Sequence, residues 1–137
     1  MSSNMDGNQF SSRSRDLSRR KETGSRGEQA AAELLEGKGY KILDRNWRCR
    51  SGELDIVADD SGTTVFIEVR TRRSGSRYGT AAESVDWRKQ RKLQQVAQVY
   101  MAAHGNIASL AVRFDVIAVT YEEADGPLVC THYEHAF

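Results

Sequence analysis

This sequence lacks long apolar runs. No segment approaches the roughly 20 consecutive apolar residues that a membrane-spanning helix needs, so we expect no membrane partner. The N-terminal segment has no apolar stretch after its basic residues, so we expect no secretory signal. There are only two cysteines, Cys49 and Cys130, and their spacing excludes a CxxC metal or redox motif. These absences predict a protein of the reducing cytoplasm.

A large excess of one charge is also missing, but the charges are unevenly distributed. The chain has 20 basic and 19 acidic side chains and a formal net charge of +1. Between residues 70 and 92, Glu83 and Asp86 are the only acids, and the basic residues there are Arg70, Arg72, Arg73, Arg77, Arg88, Lys89, Arg91 and Lys92. Such clustering is typical of a surface that faces phosphates. From charge alone, a solvated loop and helix face is an equally good interpretation.

Length and composition predict one folded domain with a short tail. A chain of 137 residues with 39% hydrophobic residues is long enough to bury a core of its own. Residues 1–22 are rich in Ser, Arg and Asn, and we expect them to form a disordered basic tail because they offer few large apolar side chains to bury. Residues 23–137 form the predicted domain. The tail either adds non-specific affinity for nucleic acid or only improves solubility.

Hydrophobic periodicity predicts an α/β fold with the order α-β-β-β-α-β-β. Ser25 and Glu28 have the spacing of a capping box, and Gly37 and Gly39 end the helix that it starts. Strands are predicted over residues 40–47, 54–58, 63–70, 110–121 and 128–133, and a second helix over 86–104, after a loop over 71–84. This helix acts as a right-handed crossover between parallel strands. The result is a mixed sheet of about five strands flanked by helices.

The hairpin over residues 54–70 brings carboxylates together. Counting outward from a turn centred between Ser61 and Gly62 sets Asp55 opposite Glu68 and Glu53 opposite Arg70. Strand alternation then predicts that all four side chains share one face of the sheet. Opposed residues hold their Cβ atoms roughly 4.5–5.5 Å apart, so the two carboxylates repel unless a cation neutralises them.

Two interpretations of this hairpin stay open at the level of the residues. A divalent cation bound by Asp55 and Glu68 activates water and stabilises charge on a phosphate, and Arg70 adds positive charge beside it. Alternatively, Arg70 pairs with Glu53 and Glu68 in an ordinary charge ladder on a solvated face of the sheet.

Several short motifs resemble a known family. They are Gly27-Glu28-Gln29-Ala30-Ala31, Gly39-Tyr40, Asn46-Trp47-Arg48, Gly52-Glu53-Leu54-Asp55-Ile56-Val57, Phe66-Ile67-Glu68-Val69-Arg70-Thr71-Arg72 and the ending Glu134-His135-Ala136-Phe137. Over about residues 24–137 the chain resembles the YraN-like family of uncharacterised bacterial proteins. That family is similar to archaeal Holliday junction resolvases and belongs to the PD-(D/E)XK superfamily. The resemblance implies a restriction-endonuclease-like core and action on structured or branched DNA.

The resemblance also implies a set of site residues. The superfamily's acidic residue on the first helix corresponds to Glu28, its strand Asp to Asp55, and its Glu-X-Lys motif to Glu68, Val69 and Arg70. This implies a Mg²⁺ or Mn²⁺ ion bound by Asp55 and Glu68, with the Val69 carbonyl and with Glu28 through water. Glu28 has an alternative role as the capping partner of Ser25. Arg70 departs from the pattern, and because arginine keeps its proton near neutral pH we expect it to stabilise charge but to support weak cleavage or none.

Candidate nucleic-acid contacts lie beyond the hairpin. Arg72, Arg73 and Arg77 are predicted to contact phosphates from the loop after the hairpin. Lys89 either leans from its helix toward the site or is a solvated side chain. Three aromatic residues could stack on unpaired bases: we interpret Trp47 as a core residue and favour Tyr78 over Trp87.

The leading hypothesis is therefore a metal-dependent endonuclease, or a nuclease-fold protein, that acts on branched or otherwise structured DNA. A nucleic-acid-binding module without catalysis and an adaptor that docks a protein partner are the alternatives. The residues leave open whether the protein forms a homodimer.

Overall fold

The computed structural model describes residues 3–75, 85–105 and 111–137, with the backbone alone for residues 3–19. Its helices and strands are α1 (Ser3–Gly37), β1 (Lys41–Cys49), β2 (Gly52–Asp60), β3 (Thr63–Arg73), α2 (Trp87–Ala103), β4 (Val112–Tyr121) and β5 (Leu128–Tyr133). This is the predicted order of elements. In the part of the chain described here, no helix is both long and apolar enough to cross a membrane.

The five strands form one mixed sheet in the order β1-β2-β3-β4-β5. Neighbouring strands are antiparallel except β3 and β4, which run parallel, with Phe66 opposite Phe114 and Val69 opposite Ile117. A parallel pair needs a crossover, and α2 supplies it between these two central strands. The predicted fold class, an α/β core with a mixed sheet flanked by helices, is confirmed.

The two helices cover opposite faces of the sheet, and each closes its own hydrophobic core. On one face, Ala31 and Leu35 of α1 pack against Ile56, Ile67 and their neighbours. On the other face, the apolar stripe of α2 packs against Leu54, Val57, Phe66 and Val116, and its buried members are Leu93, Val96, Ala97 and Tyr100. This stripe has the i, i+3, i+4, i+7 spacing expected of a helix that buries one side.

The start of α1 differs from the prediction. The capping box at Ser25 is wrong, because the helix begins at Ser3 and residue 25 lies within it. Residues 3–22, which the composition predicts to be disordered, have a helical backbone in this structure. No proline interrupts the segment, and propagation of an established helix adds one hydrogen bond per residue, so packed turns downstream can extend upstream. Thr23 is buried and stands near the start of the packed part.

β3 is longer than predicted. It continues through Arg73, because Thr71, Arg72 and Arg73 pair with Val119, Thr120 and Tyr121 of the parallel neighbour β4. The prediction that Arg72 and Arg73 lie on a loop is therefore wrong. Residues 71–73 are polar and favour a loop, but backbone hydrogen bonds to the apolar strand β4 hold them in the sheet. This pairing is a tertiary effect that local composition does not reveal.

A buried polar network holds the C-terminal end of the chain. Asp115, which is fully buried in β4, accepts hydrogen bonds from Arg113, from His132 Nε2 and from the backbone N–H of His135. Burial alone would raise the pKa of Asp115, but these donors outweigh it and lower the pKa. The network ties β5 and the residues after it to the centre of the sheet.

Candidate metal centre and nucleic-acid interface

The β2–β3 hairpin has the predicted register, and it opens at the candidate site. Asp60 lies opposite Thr63 and Ile56 opposite Ile67, on either side of a turn in which Ser61 and Gly62 both have positive φ, 49° and 96°. The backbone ladder between the two strands ends at Ile56 and Ile67. Beyond that point the backbone N–H of Val69 donates instead to Oδ2 of Asp55, at 2.9 Å. The Asp55 carboxylate thus takes the place of a backbone acceptor where the strands separate.

The alternation of β2 side chains between the two faces of the sheet is interrupted near Asp55. Leu54 packs in the core under α2, whereas Ile56, two residues later, packs in the core under α1. Their β1 partners Trp47 and Arg45 differ in the same way: Trp47 joins the α2 core, and Arg45 donates to Gln29 on α1. Between them Asn46 has a φ of 52°, a left-handed conformation that rotates the strand.

One predicted ion pair is replaced by another. Glu53 is not held by Arg70 across the hairpin. Its partner on β1 is Arg48, whose Nε lies 2.8 Å from Glu53 Oε2 on the surface. Glu53 still lines the same cavity as Asp55 and Glu68, so the three carboxylates stay together although Glu53 pairs with Arg48.

Asp55 and Glu68 line one cavity between the opened hairpin and α2. It has a volume of about 250 Å³, and its wall also includes Lys89, Lys92 and Val96. Asp55 is 8% exposed, and the Glu68 side chain is 10% exposed. The structure therefore brings together the two carboxylates that the hairpin geometry paired.

The two carboxylates are electrostatically coupled. Burial, together with the charge and hydrogen bond of Glu68 and the charge of Glu28, raises the pKa of Asp55 to about 8, although the Val69 N–H acts in the opposite direction. Crowded buried carboxylates cannot both ionise freely without a cation. Burial and the neighbouring charges thus favour the protonated form of Asp55.

Glu68 has two cationic neighbours. Nζ of Lys89 lies 2.9 Å from Glu68 Oε1, and NH1 of Arg70 lies 3.7 Å from the same oxygen. The start of α2 positions Lys89, because the Asp86 side chain caps the helix by accepting the backbone N–H of Lys89 at 2.9 Å. Lys89 thus leans from its helix toward the site, the first of its two predicted alternatives, and its position one turn before Leu93 is the signal for this.

Glu28 lies in α1, behind the carboxylate pair. It is partly buried, and its charge contributes to the raised pKa of Asp55. Among the described residues, no group of three or more His, Cys, Asp or Glu side chains is placed to hold a metal ion. Metal ligation by Asp55, Glu68 and Glu28 therefore stays a prediction.

The other residues predicted to contact nucleic acid do not lie together in the structure. Arg72 and Arg73 lie in β3, and Nε of Arg73 donates to the Glu122 carbonyl at 3.0 Å. Arg77 and Tyr78 lie outside the described residues. Trp47 is a core residue as predicted, with its ring edge-on to Tyr100 at 5.1 Å between centroids. Trp87, a less favoured candidate for base stacking than Tyr78, is 61% exposed at the start of α2.

A model of the family described as Uncharacterised protein family UPF0102 matches residues 27–119. The chain belongs to this family. The family membership that the motifs predict is therefore confirmed. The matched segment contains Glu28, Asp55, Glu68, Arg70 and Lys89.

Curated relatives within UPF0102 are similar over most of their length. A member from Symbiobacterium thermophilum is 49% identical over 88% of this chain and 98% of its own, and a member from Frankia casuarinae is 49% identical over 81% and 92%. One from Moorella thermoacetica is 51% identical over 73% and 82%. A solved structure described as that of an EndoMS–dsDNA2 complex is 20% identical with a TM-score of 0.37, over 72% of this chain and 38% of that one. This weak likeness carries no argument about function.

The residues of this family member fit a divalent metal. Mg²⁺ is usually held by one or two carboxylates together with water and phosphate oxygens, so Asp55 and Glu68 form a sufficient protein donor set. The raised pKa of Asp55 reflects burial and the charges of Glu68 and Glu28, so positive charge is favourable at this position. A bound cation would compete with Lys89 and Arg70 for Glu68.

Proposed function

We propose that this protein is a metal-dependent endonuclease that acts on structured or branched DNA. The observation that carries the proposal is the cavity in which Asp55 and Glu68 face each other beside Lys89. A buried, coupled carboxylate pair with a lysine at 2.9 Å is an arrangement suited to phosphodiester hydrolysis, and it occurs where the family resemblance implies a nuclease centre.

Each residue of the cavity has a distinct part in this proposal. Asp55 and Glu68 would hold Mg²⁺ or Mn²⁺, which supplies Lewis-acid activation of water and charge stabilisation on phosphate. Lys89 donates hydrogen bonds and can exchange a proton with the attacking water or the leaving oxygen. Arg70 stabilises negative charge on the scissile phosphate through its fixed positive charge. Lys89 thus supplies the amine that Arg70 lacks.

A nucleic-acid-binding module without catalysis is the second candidate, and one observation favours it. Lys89 and Arg70 both contact Glu68 Oε1, so the charge of Glu68 is balanced without any metal ion. If these two cations hold Glu68 when DNA binds, the cavity presents positive charge to a phosphate but leaves no place for a metal.

A cleavage panel distinguishes the two candidates. Duplex, single-stranded, flap and four-way junction DNA are incubated with the full chain and Mg²⁺, Mn²⁺ or EDTA. The endonuclease predicts metal-dependent cleavage that is lost in Asp55→Asn and in Glu68→Gln. Asp59→Asn, which removes a partly exposed carboxylate from the same strand, is the control and should cut like the parent. Binding without cleavage under every metal condition supports the binding module, and absence of binding rejects both.

A further inference from the structure

Trp87 presents an indole to solvent at the start of α2. It is 61% exposed, whereas the chain's second tryptophan, Trp47, is packed against Tyr100 in the core. The residues that precede Trp87 are anchored, since Val85 is buried and Asp86 caps the helix. Trp87 is therefore a large aromatic surface held on a rigid element.

The surroundings of Trp87 are basic. The guanidinium carbons of Arg88 and Arg91 lie 5.6 and 5.9 Å from the centroid of its ring, and Lys92 lines the same shallow cavity, which has a volume of about 280 Å³. We name Trp87, Arg88, Arg91 and Lys92 the Trp87 patch. Lys92 also lines the cavity of Asp55 and Glu68, so the patch adjoins the candidate catalytic site.

We infer that the Trp87 patch binds an unpaired nucleotide of a DNA strand whose duplex part lies at the carboxylate pair. This inference rests on the proposed action on DNA and extends it to the form of the substrate. An exposed indole offers a face on which a base can stack, and the flanking arginines and lysine can contact the phosphates on either side. Inside a duplex both faces of a base are covered by its neighbours, so the patch favours DNA with a single-stranded arm over a blunt duplex.

Charge and aromatic character together favour this occupant over an acidic protein segment. Carboxylates of a protein partner would pair with Arg88, Arg91 and Lys92 but would leave the indole exposed. A nucleotide uses both features at once, because it carries a flat base and a phosphate within one residue. Its position next to the cavity of Asp55 and Glu68 gives it a place in the same substrate.

The test measures binding and stacking without cleavage. In a Trp47→Phe background Trp87 is the only tryptophan, so its fluorescence reports on the patch alone. Two DNAs with the same duplex, one blunt and one with a single-stranded arm, are titrated in EDTA by fluorescence and by anisotropy. We expect the armed DNA to quench Trp87 and to bind more tightly. In the chain that retains Trp47, Trp87→Ala should weaken binding of the armed DNA about tenfold, the lower part of the range for base–aromatic stacking, and change blunt-duplex binding less than twofold.

Two further variants sharpen the result. Trp87→Phe keeps an aromatic face and should retain most of the preference for the armed DNA. Val129→Ala removes another apolar side chain of equal exposure, 62%, from β5 and should change neither affinity. An equal loss on both DNAs in Trp87→Ala, or an unquenched Trp87 in the complex, overturns the inference while the proposed function stands. A parent chain that binds neither DNA rejects the proposed function together with it.

Discussion

The backbone N–H of Val69 donates to Oδ2 of Asp55 at 2.9 Å, at the point where β2 and β3 part. This hydrogen bond holds a buried carboxylate at the edge of the opened ladder. It also places that carboxylate next to Glu68. Because this contact raises the pKa of Asp55, the free energy of unfolding depends on whether Asp55 is protonated.

The first prediction concerns the pH dependence of stability without metal. Burial and Glu68 raise the pKa of Asp55 from 3.8 to about 8 in the folded chain. The folded state therefore binds a proton that the unfolded state releases, so stability is full below about pH 4 and falls as the pH rises toward 8. In Asp55→Asn the free energy of unfolding should fall less steeply with pH than in the parent. The difference between the two slopes should be at most about 1.4 kcal/mol per pH unit, and at pH 8 the variant should be the more stable protein.

Urea denaturation in EDTA at several values between pH 5 and pH 8 measures this slope. Asp59→Asn removes a carboxylate from the same strand and should keep the slope of the parent. Parallel curves for Asp55→Asn and the parent would contradict the coupling. If the proposed divalent cation replaces the proton, Mg²⁺ should stabilise the parent more at pH 8 than at pH 6 and should not stabilise Asp55→Asn.

The second prediction concerns the approach of α1 to β3. A Cβ atom on Gly27 would lie 2.0 Å from Oγ1 of Thr71, whereas a Cβ on Gly24, one turn earlier, would have no heavy atom within 4 Å. Gly27→Ala should therefore destabilise the protein by about 1–3 kcal/mol through overpacking. Gly24→Ala should stabilise it by up to about 1 kcal/mol, since alanine is the better helix former.

Chemical denaturation of the two variants gives both values, with Gly24→Ala as the matched control. The Thr71→Ala background removes the clashing hydroxyl and methyl groups, so the cost of Gly27→Ala should shrink there. A cost that is the same in both backgrounds would show that the contact with Thr71 is not its cause.

Much of the fold follows from local pattern. The turn residues Ser61 and Gly62 set the hairpin register, and the apolar stripe of α2 predicts the buried face of the crossover helix. The opening of the hairpin at Asp55 does not follow from local pattern, since regular alternation predicts a ladder that continues past Ile56 and Ile67. Periodicity also identifies the buried side of α2 without showing how far Lys89 reaches toward Glu68.

The third prediction separates two neighbouring arginines. Side chains alternate between the two faces of a strand, so Arg72 shares the α2 side of the sheet with Phe66 and Glu68. Arg73 shares the opposite face with Val69 and donates to the Glu122 carbonyl. If DNA lies on the α2 side, Arg72→Gln should lower the slope of log K against log salt by about 0.9, the value for one duplex phosphate. Arg73→Gln makes the same change in charge and should leave the slope as in the parent. Anisotropy titrations at several salt concentrations measure both, and a larger effect in Arg73→Gln would place the DNA on the other face.

The last prediction concerns which side chain supplies the amine of the site. Nζ of Lys89 lies 2.9 Å from Glu68, in a position to act on the water or leaving oxygen at a phosphate bound there, and Arg70 NH1 lies 3.7 Å from the same oxygen. Lys89→Met should lower the single-turnover cleavage rate by about 100-fold, the lower part of the range for a general acid or base, and should change DNA affinity much less.

Arg70→Lys, which places a lysine on β3, tests the same assignment of the catalytic amine to Lys89. In the parent chain it should change the cleavage rate less than tenfold, because Lys89 already supplies an amine, whereas in the Lys89→Met background it should raise the rate about tenfold, equivalent to about 1.4 kcal/mol of barrier. Lys41→Met removes an exposed lysine from β1 and controls for the loss of one charge. If Lys89→Met cuts like the parent while Arg70→Lys raises its rate tenfold, the catalytic lysine belongs on β3 and Lys89 serves only to hold Glu68. That result would make the arginine at position 70 the reason for weak cleavage, as the motif alone predicts.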